Sequence, residues 1–364
     1  MANMLIKTPR FFPDTINYLL NRGVAQNGNF DVTATHAGNN FMGTFTTGSE
    51  PELFDMKPLN KCTFDTSADT DGHVLITIDL QAGYTTDYIA ILNHNIKSAV
   101  GKIRIFAGDE ATDITALDGG NADTGDINWG STTVTEVLDA DTITAGSDNK
   151  SVVIEPAADG STIIRFTPQI ERYWAIQLEG NTTNTGNATN GTWGSTDVFV
   201  GCIMLGEYFE MPHAPDLSLK RSISFEGMNK VQQSVGGQRY SNMTTHGRQV
   251  SSTTISPFSL FLLGPQDPYG GRITYDMNFS FLNANKIMPS AHYYWLNTQD
   301  VVFEDIWHKT HGSHTPFIFS VDKDSEGGAS ESEHIFARWG QDSLDMNQVA
   351  SDTFNISMRI EEEF

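Results

Sequence analysis

The sequence predicts an all-β protein built from two β-sandwich domains. Apolar and polar residues alternate over several segments, most clearly 273–281 and 354–361, and this alternation is typical of strands with one buried face. Charged residues are only 18% of the chain, and the polar remainder is rich in Thr, Ser, Asn and Gly, which favour strands and turns. A chain of 364 residues is too long for one ordinary core and suits two domains.

The charge of the chain excludes some classes of partner. With 22 basic and 45 acidic residues its net charge is -23, so the chain repels nucleic acid and anionic membrane surfaces. No apolar run approaches the ~20 residues of a membrane span, and the N-terminus lacks the apolar segment of a signal peptide. Cys62 and Cys202 lie far apart and outside any CxxC or Cys/His metal spacing. We therefore expect a protein made in a cytoplasm that stays soluble or joins an assembly.

Residues 1–29 are predicted to form an N-terminal arm with one short helix. Asp14 is the expected N-cap, and Ile16, Leu19 and Leu20 give the helix one apolar side. A helix this short cannot stand alone in water, so it must dock on its own domain or on a neighbouring subunit. These three apolar residues are therefore predicted to form an interface in which the arm reaches across a subunit boundary.

The first domain is predicted over residues 30–211 and is organised around the stretch 73–108. That stretch contains an alternating strand, a continuous apolar run and a third apolar run, in that order. The bend Asn93-His94-Asn95 separates the last two runs. Its side chains could form the polar tip of a binding rim, but capping of a tight bend through backbone hydrogen bonds is the favoured interpretation.

The second domain is predicted over residues 212–364. Pro212 and Pro215 lack backbone donors and favour an extended linker at its start. The clearest strand of the chain follows at 273–281, and 291–309 is the best helix candidate because its apolar residues recur at helical spacing. A sandwich with one packed helix fits this order of elements.

Three histidines form the sharpest local cluster of metal-binding side chains. His308 and His311 are three residues apart, so they could share one helix face and bind a transition metal, and His314 would join them from a loop. No HExxH pattern lies nearby, and loop histidines are often simply solvated. A metal site is therefore one interpretation of the cluster, and solvated imidazoles are the other.

Acidic loops supply a second kind of candidate site, because carboxylate oxygens are the ligands that calcium prefers. Their spacing does not match an EF-hand loop, and Asp-Gly clusters are also typical of exposed turns. Calcium is the one candidate cofactor. The candidate ligands in the first domain are Asp109, Glu110, Asp113, Asp118, Asp123, Asp126, Asp139 and Asp141. A second set in the second domain consists of Asp322, Asp324 and Glu326.

Two tryptophans in polar loops of the first domain are candidate ligand-binding residues. Trp129 and Trp193 both lie among Gly, Thr and Asn residues, and an exposed indole offers a sugar ring a flat apolar face. Equally, each indole could anchor its own loop to the sandwich. No catalytic residue is predicted, because the patterns GxSxG, GxxxxGK and GxGxxG are all absent from the sequence.

Several short motifs together carry a resemblance to a known family. In chain order they are DLQAGYTTDYIAILNHNIKSAVGKIRIFAG, TPQIERYWAIQLEG and VFVGCIMLGEYFEMP, with the matching positions Asp79-Leu80, Ile89 to Asn95, Arg172 to Leu178 and Gly201 to Gly206. These stretches resemble the galactose-binding-like (discoidin-like) jelly-roll domains in structural proteins of tailed bacteriophages. The second half, with HTPFIFSVD and a charged final strand, resembles the accompanying domain of such tail proteins. The chain departs from sugar-binding members of the wider fold, because it lacks an obvious basic and aromatic ligand cluster.

The resemblance implies a non-enzymatic virion protein, made in the host cytoplasm and located in the tail. As a tail or baseplate adaptor it would link the tail to peripheral fibres or spikes by protein-protein packing, in a symmetric ring with copies of itself and other virion proteins. The alternative is a host-surface glycan-binding module that uses the loops around Trp129 and Trp193. A polysaccharide depolymerase is a weaker alternative, because no catalytic motif supports it.

Overall fold

The computed structural model of the chain describes residues 7–32, 45–68, 72–115, 125–147, 149–181, 191–224, 229–243, 272–289, 301–324 and 334–363. Within these ranges strands dominate, helices are few and the sheets are antiparallel, which confirms the all-β prediction. None of the described helices combines the length and the apolar character that a membrane crossing needs.

The N-terminal residues are divided between two compact units. Strand β1 (Arg10–Pro13) belongs to the sheet of the second unit, whereas helix α1 (Thr15–Asn21) packs into the core of the first. Asp14 caps this helix as predicted, because its side chain accepts a helix N–H at 2.8 Å. The first unit comprises residues 14–208, and the described chain from residue 209 onward joins β1 in the second unit.

The apolar side of α1 lies inside the first unit. Ile16 and Leu19 are 2% and 0% exposed, and Leu20 packs against the same core. The interface prediction for these three residues is wrong. A helix of 7 residues gains its stability by covering its apolar side, and the unit's own residues already supply that cover.

The first unit is a sandwich of two antiparallel sheets. Its strands are β2 (Phe30–Val32), β3 (Phe45–Thr47), β4 (Cys62–Phe64), β5 (Val74–His94), β6 (Gly101–Gly108), β7 (Val134–Leu138), β8 (Ala140–Ala145), β9 (Val152–Pro156), β10 (Gly160–Gly180), β11 (Val198–Val200) and β12 (Cys202–Gly206). Its other helical segments are two 3-10 helices, Asn27–Asn29 and Glu50–Phe54, and helix α2 (Ala111–Thr115). The large sheet has the order β12-β5-β10-β6-β9-β8, with β2 beside β5 and β7 beside β10. The small sheet has the order β11-β4-β3, and one core joins the two sheets.

The stretch 73–108 folds as two strands, although its apolar runs predicted three. Strand β5 continues without a break through Gly83, which lies between the first two runs, and it pairs over most of its 21 residues with the equally long β10. Register shifts in β10 at Arg165–Gln169 and Glu171–Tyr173 mark bulges. Because bulges bend and twist a long strand, one strand can follow the curved core from end to end.

The second unit is built on one large antiparallel sheet. Its elements after β1 are β13 (Phe209–Glu210), β14 (Lys220–Ser224), β15 (Asn229–Gln233), β16 (Arg239–Met243), β17 (Arg272–Asn283), helix α3 (Ala284–Ile287), the π-helix Phe303–His308, β18 (Phe317–Ser320), β19 (His334–Trp339), β20 (Met346–Ala350) and β21 (Thr353–Glu362). The sheet order is β13-β1-β18-β19-β21-β17-β14, with β20 beside β21. Strands β15 and β16 form a separate two-stranded sheet.

The core of the second unit follows the predicted alternation. Strand β17 places every second residue from Ile273 to Phe279 in the core, but Phe281, where the alternation should continue, is 75% exposed. The same core contains Val302 and Ile306 of the helical segment, which are fully buried. The helix predicted at 291–309 corresponds in part to the π-helix, whereas residues 290–300 lie outside the described ranges.

Candidate functional site

The bend Asn93-His94-Asn95 is a buried structural corner. Asn93 has a φ of +52° and donates a side-chain hydrogen bond to the Pro58 carbonyl at 2.6 Å, while Asn95 accepts the backbone N–H of Phe199 at 2.7 Å. His94 is 0% exposed, and burial lowers its pKa to about 3. The side chains therefore cap the bend, and no binding rim forms there.

The two loop tryptophans are anchors of their own loops. Trp193 is 4% exposed, donates its indole N–H to the Gly72 carbonyl at 2.5 Å and covers Gly101, where a Cβ atom would lie 2.3 Å from the indole. Trp129 is 3% exposed and packs edge-on against Phe166 at 5.3 Å between ring centroids. Neither indole presents a face to a ligand, so the prediction that they bind sugar is wrong.

The three histidines do not converge on a metal. Within the described part of the chain, only Asp109, Asp113 and Asp126 bring three ligand atoms within 4.8 Å of one another. His308 and His311 lie with ring centroids 6.1 Å apart, and His314 is exposed. The predicted site of three histidines is therefore not formed, because no three of their ring nitrogens meet within 4.8 Å of one another.

Two of these histidines, His308 and His311, instead help to line an open cleft of about 560 Å³ in the second unit. Its wall is the π-helix and the turn that follows, where His311 has a φ of +52° and Gly312 a φ of +63°. Trp307 packs at 5.3 Å on Trp339 beneath the cleft and remains partly exposed. The lining residues are Phe303, Trp307, His308, His311, Gly312, Ser313 and Asp342.

The cleft combines flat rings with polar groups. Phe303 stacks on His308 with ring centroids 6.0 Å apart and an interplanar angle of 5°. Ser313 supplies a hydroxyl, and the exposed Asp342 supplies a carboxylate. Ring faces with a few convergent polar groups are the chemistry by which proteins hold sugars and other polar ring compounds.

A cluster of carboxylates lies where β6 ends in the first unit. The side chains of Asp109, Asp113 and Asp126 meet within 4.8 Å, and the backbone positions them: Asp109 N–H donates to Asp126 Oδ2 at 3.1 Å, and Glu110 N–H donates to Asp113 Oδ2 at 3.0 Å. Of the other calcium candidates, Asp118 and Asp123 fall outside the described residues. Asp139 and Asp141 follow β7 and do not belong to the cluster.

The second acidic set is used in an ion pair. Lys7 Nζ lies 2.8 Å from Asp324 Oδ2 and 3.8 Å from Asp322 Oδ2, so a lysine of this chain already pairs with both carboxylates. Glu326 lies outside the described residues. The first-unit cluster is therefore the better place for a calcium ion.

Repulsion between the carboxylates and their desolvation raise pKa values in the first-unit cluster. The hydrogen bond with Asp126 raises the pKa of Asp109, and desolvation raises the pKa of Asp113. Desolvation and the three aspartates together raise the pKa of the neighbouring Glu171. A bound cation would relieve this repulsion, so calcium binding at the cluster stays a prediction.

We expect saturating calcium to stabilise the first unit. At about 100 times the dissociation constant the gain is about 2.7 kcal/mol, and it should be mostly lost in Asp109→Asn and kept in Asp141→Asn, the matched control on β8. Because the folded-state pKa values are raised, the repulsion destabilises the calcium-free unit above them and fades as the pH falls through them. Thermal unfolding with and without calcium from neutral to acidic pH checks this; an equal response in all three proteins would contradict it.

A buried ion-pair network in the first unit gave no signal in the sequence pattern. Glu179 is 0% exposed, and its Oε1 lies 2.9 Å from Arg104 Nη2 and 3.3 Å from Lys102 Nζ. Gln177 donates to the second carboxylate oxygen at 3.1 Å, and Arg104 donates to Ser151 Oγ at 3.2 Å. Alternation places Gln177 and Glu179 on the face of β10 that would ordinarily be solvated, yet both side chains are 0% exposed.

At the level of sequence, no protein-family model and no curated protein matches the chain. Among solved structures, the chain is similar to the crystal structure of chitosan-binding module 1 derived from a chitosanase/glucanase from Paenibacillus sp. IK-5. The identity is 12%, the TM-score is 0.26, and the match covers 45% of this chain and 92% of that chain. A likeness this distant carries no argument about what the chain binds.

Proposed function

We propose that this chain is a structural component of a phage virion, a tail or baseplate adaptor that links the tail to peripheral fibres or spikes by packing. The jelly-roll motifs of the sequence support this function, as does the exposed Phe281 on the sheet of the second unit. Its side chain is 75% exposed, and it lies beside β21 near Asn355. A large apolar side chain held in solvent in this way is a candidate contact with another protein.

A backbone bulge exposes Phe281, and it is the observation that carries the proposal. In β17, Phe279 pairs with Ile356 and Leu282 with Phe354, so two residues oppose one on β21. The bulge turns Phe281 into solvent with a φ of +62°. Such a backbone costs of order 1–3 kcal/mol for a bulky residue, and exposing a phenylalanine forfeits about 1.5–3 kcal/mol of burial. A partner that covers Phe281 would recover the lost free energy of burial.

Strand β20 adds an exposed edge to the same sheet. All five of its residues are exposed, and it pairs only with β21 among the described strands. An edge strand presents unpaired backbone donors and acceptors, so it can also accept a strand from a neighbouring protein.

Incorporation into particles tests the proposal. Phe281→Ser should fold with unchanged or higher thermal stability and should enter particles less efficiently than the natural chain when it competes with it during phage growth. Val24→Ser, at another exposed apolar position in the first unit, is the control and should enter normally. Absence of the natural chain from purified particles, by mass spectrometry and in a particle map, would refute the function.

Host-surface glycan binding is the second candidate, and the cleft around Trp307 is the observation that favours it. Trp307→Ala should abolish any glycan affinity measured by glycan array and calorimetry, while Trp307→Phe should retain part of it because a ring face remains. Unchanged thermal unfolding of both variants would separate lost binding from lost fold. No binding by the natural chain would exclude this candidate, and release of reducing ends from host polysaccharide would indicate a depolymerase instead.

A further inference from the structure

The hairpin formed by β15 and β16 pairs with neither of the large sheets. Its strands pair only with each other among the described strands, from Asn229 opposite Met243 to Gln233 opposite Arg239. The side chains from 232 to 239 are all exposed. An isolated two-stranded hairpin is marginally stable at best in water, so this one is expected to need cover from outside its own two strands.

The tip of the hairpin is a defined turn that presents one apolar residue. Gly237 N–H donates to the Ser234 carbonyl at 2.9 Å, and Ser234 N–H donates to the Gln238 carbonyl at 2.8 Å. Gly237 has a φ of +82°, which a glycine adopts without strain. Val235 lies at the outer corner of this turn and is fully exposed at 111% relative accessibility. The turn therefore exposes the apolar side chain of Val235 to solvent.

The charge of the hairpin is opposite to that of the chain. Lys230 and Arg239 lie on its strands, and no Asp or Glu occurs from Gly227 to Gln266. The complete chain carries 45 acidic residues and a net charge of -23. A second copy of the chain therefore offers an acidic surface that complements this basic segment.

We propose that the β15–β16 hairpin is an assembly arm that docks on an acidic surface of a second copy of this chain, with Val235 as the apolar contact and Arg239 as the cation beside it. The inference rests on the proposed function as an assembling protein and names one of its partners. It uses residues other than Phe281, so the two contacts can be tested independently.

Self-association of the purified full chain tests the arm. The double variant Val235→Asp, Arg239→Glu should weaken the dissociation constant for self-association roughly tenfold or more, measured by sedimentation velocity over a concentration series. Val24→Asp, Lys57→Glu makes the same changes of type and charge at two exposed positions of the first unit and should associate like the natural chain. Both variants should keep the natural thermal unfolding, because the changed residues lie outside the cores.

Photo-crosslinking identifies the partner on which the hairpin docks. A benzophenone side chain at position 235 should yield a product of twice the 40.1 kDa chain mass, with the crosslinked peptide in an Asp- or Glu-rich segment. A natural chain that stays monomeric at all concentrations, or a crosslink formed only to a different protein within particles, would overturn the proposal while leaving the virion function standing. Absence of the chain from particles would refute the virion function and leave the self-association measurement valid.

Discussion

Replacement of Trp193 by alanine is expected to lower the free energy of unfolding of the first unit by about 3–5 kcal/mol. The indole is buried in the core that joins the two sheets. Its removal leaves a cavity over Gly101 and deprives the Gly72 carbonyl of its indole donor. The neighbouring backbone cannot easily close this space, because Gly180 already lies against the Thr192–Trp193 peptide, where a Cβ atom would be only 2.2 Å from Thr192 C.

Chemical denaturation of the full chain, followed by a probe of the first unit, measures this loss. Trp307→Ala is the matched control, because it removes the same side chain from the partly exposed wall of the cleft in the second unit and should leave the first-unit transition unchanged. A Trp193→Ala protein with the natural transition midpoint would contradict the anchoring role. It would also restore Trp193 as a candidate for ligand stacking.

Replacement of Glu179 by leucine is expected to cost a similar amount, about 3–5 kcal/mol. The change removes the carboxylate and leaves Arg104 and Lys102 without it, and Arg104 is only 8% exposed. Addition of Arg104→Met in the same protein should recover part of the loss, because an apolar pair of similar size no longer strands a buried charge. The four proteins of this double-mutant cycle give the coupling free energy directly.

An exposed ion pair of the same unit supplies the control for this cycle. Arg172 Nε lies 2.7 Å from Asp79 Oδ1, and the Arg172 side chain is 36% exposed. Its replacement by methionine should cost about 0–1 kcal/mol, since water replaces the lost contact. If Glu179→Leu cost no more than Arg172→Met, the Glu179 network would behave as a solvated pair and its structural role would be refuted.

Sequence alone determined the fold class and several local structures. Alternation predicted strands β17 and β21, and the short capped helix after Asp14 forms as expected. These features depend on residues a few positions apart, so local pattern is sufficient to predict them. The side chains of the Asn93-His94-Asn95 bend bond to backbone groups as predicted, but Asn93 and Asn95 find theirs at Pro58 and Phe199, far along the chain, so local pattern does not identify these partners.

The tertiary structure alone decided which residues are available to partners. Trp193 is buried because it meets Gly72, far away along the chain, and no local pattern reports such a contact. The carboxylates after β6 converge because Asp126 lies beside Asp109 at the end of that strand, whereas the spacing of the three histidines suggested a convergence that does not form. The exposed Phe281 depends on a bulge between two paired strands. Burial, convergence and exposure of side chains are properties of contacts between distant segments, and those contacts are fixed only when the whole chain folds.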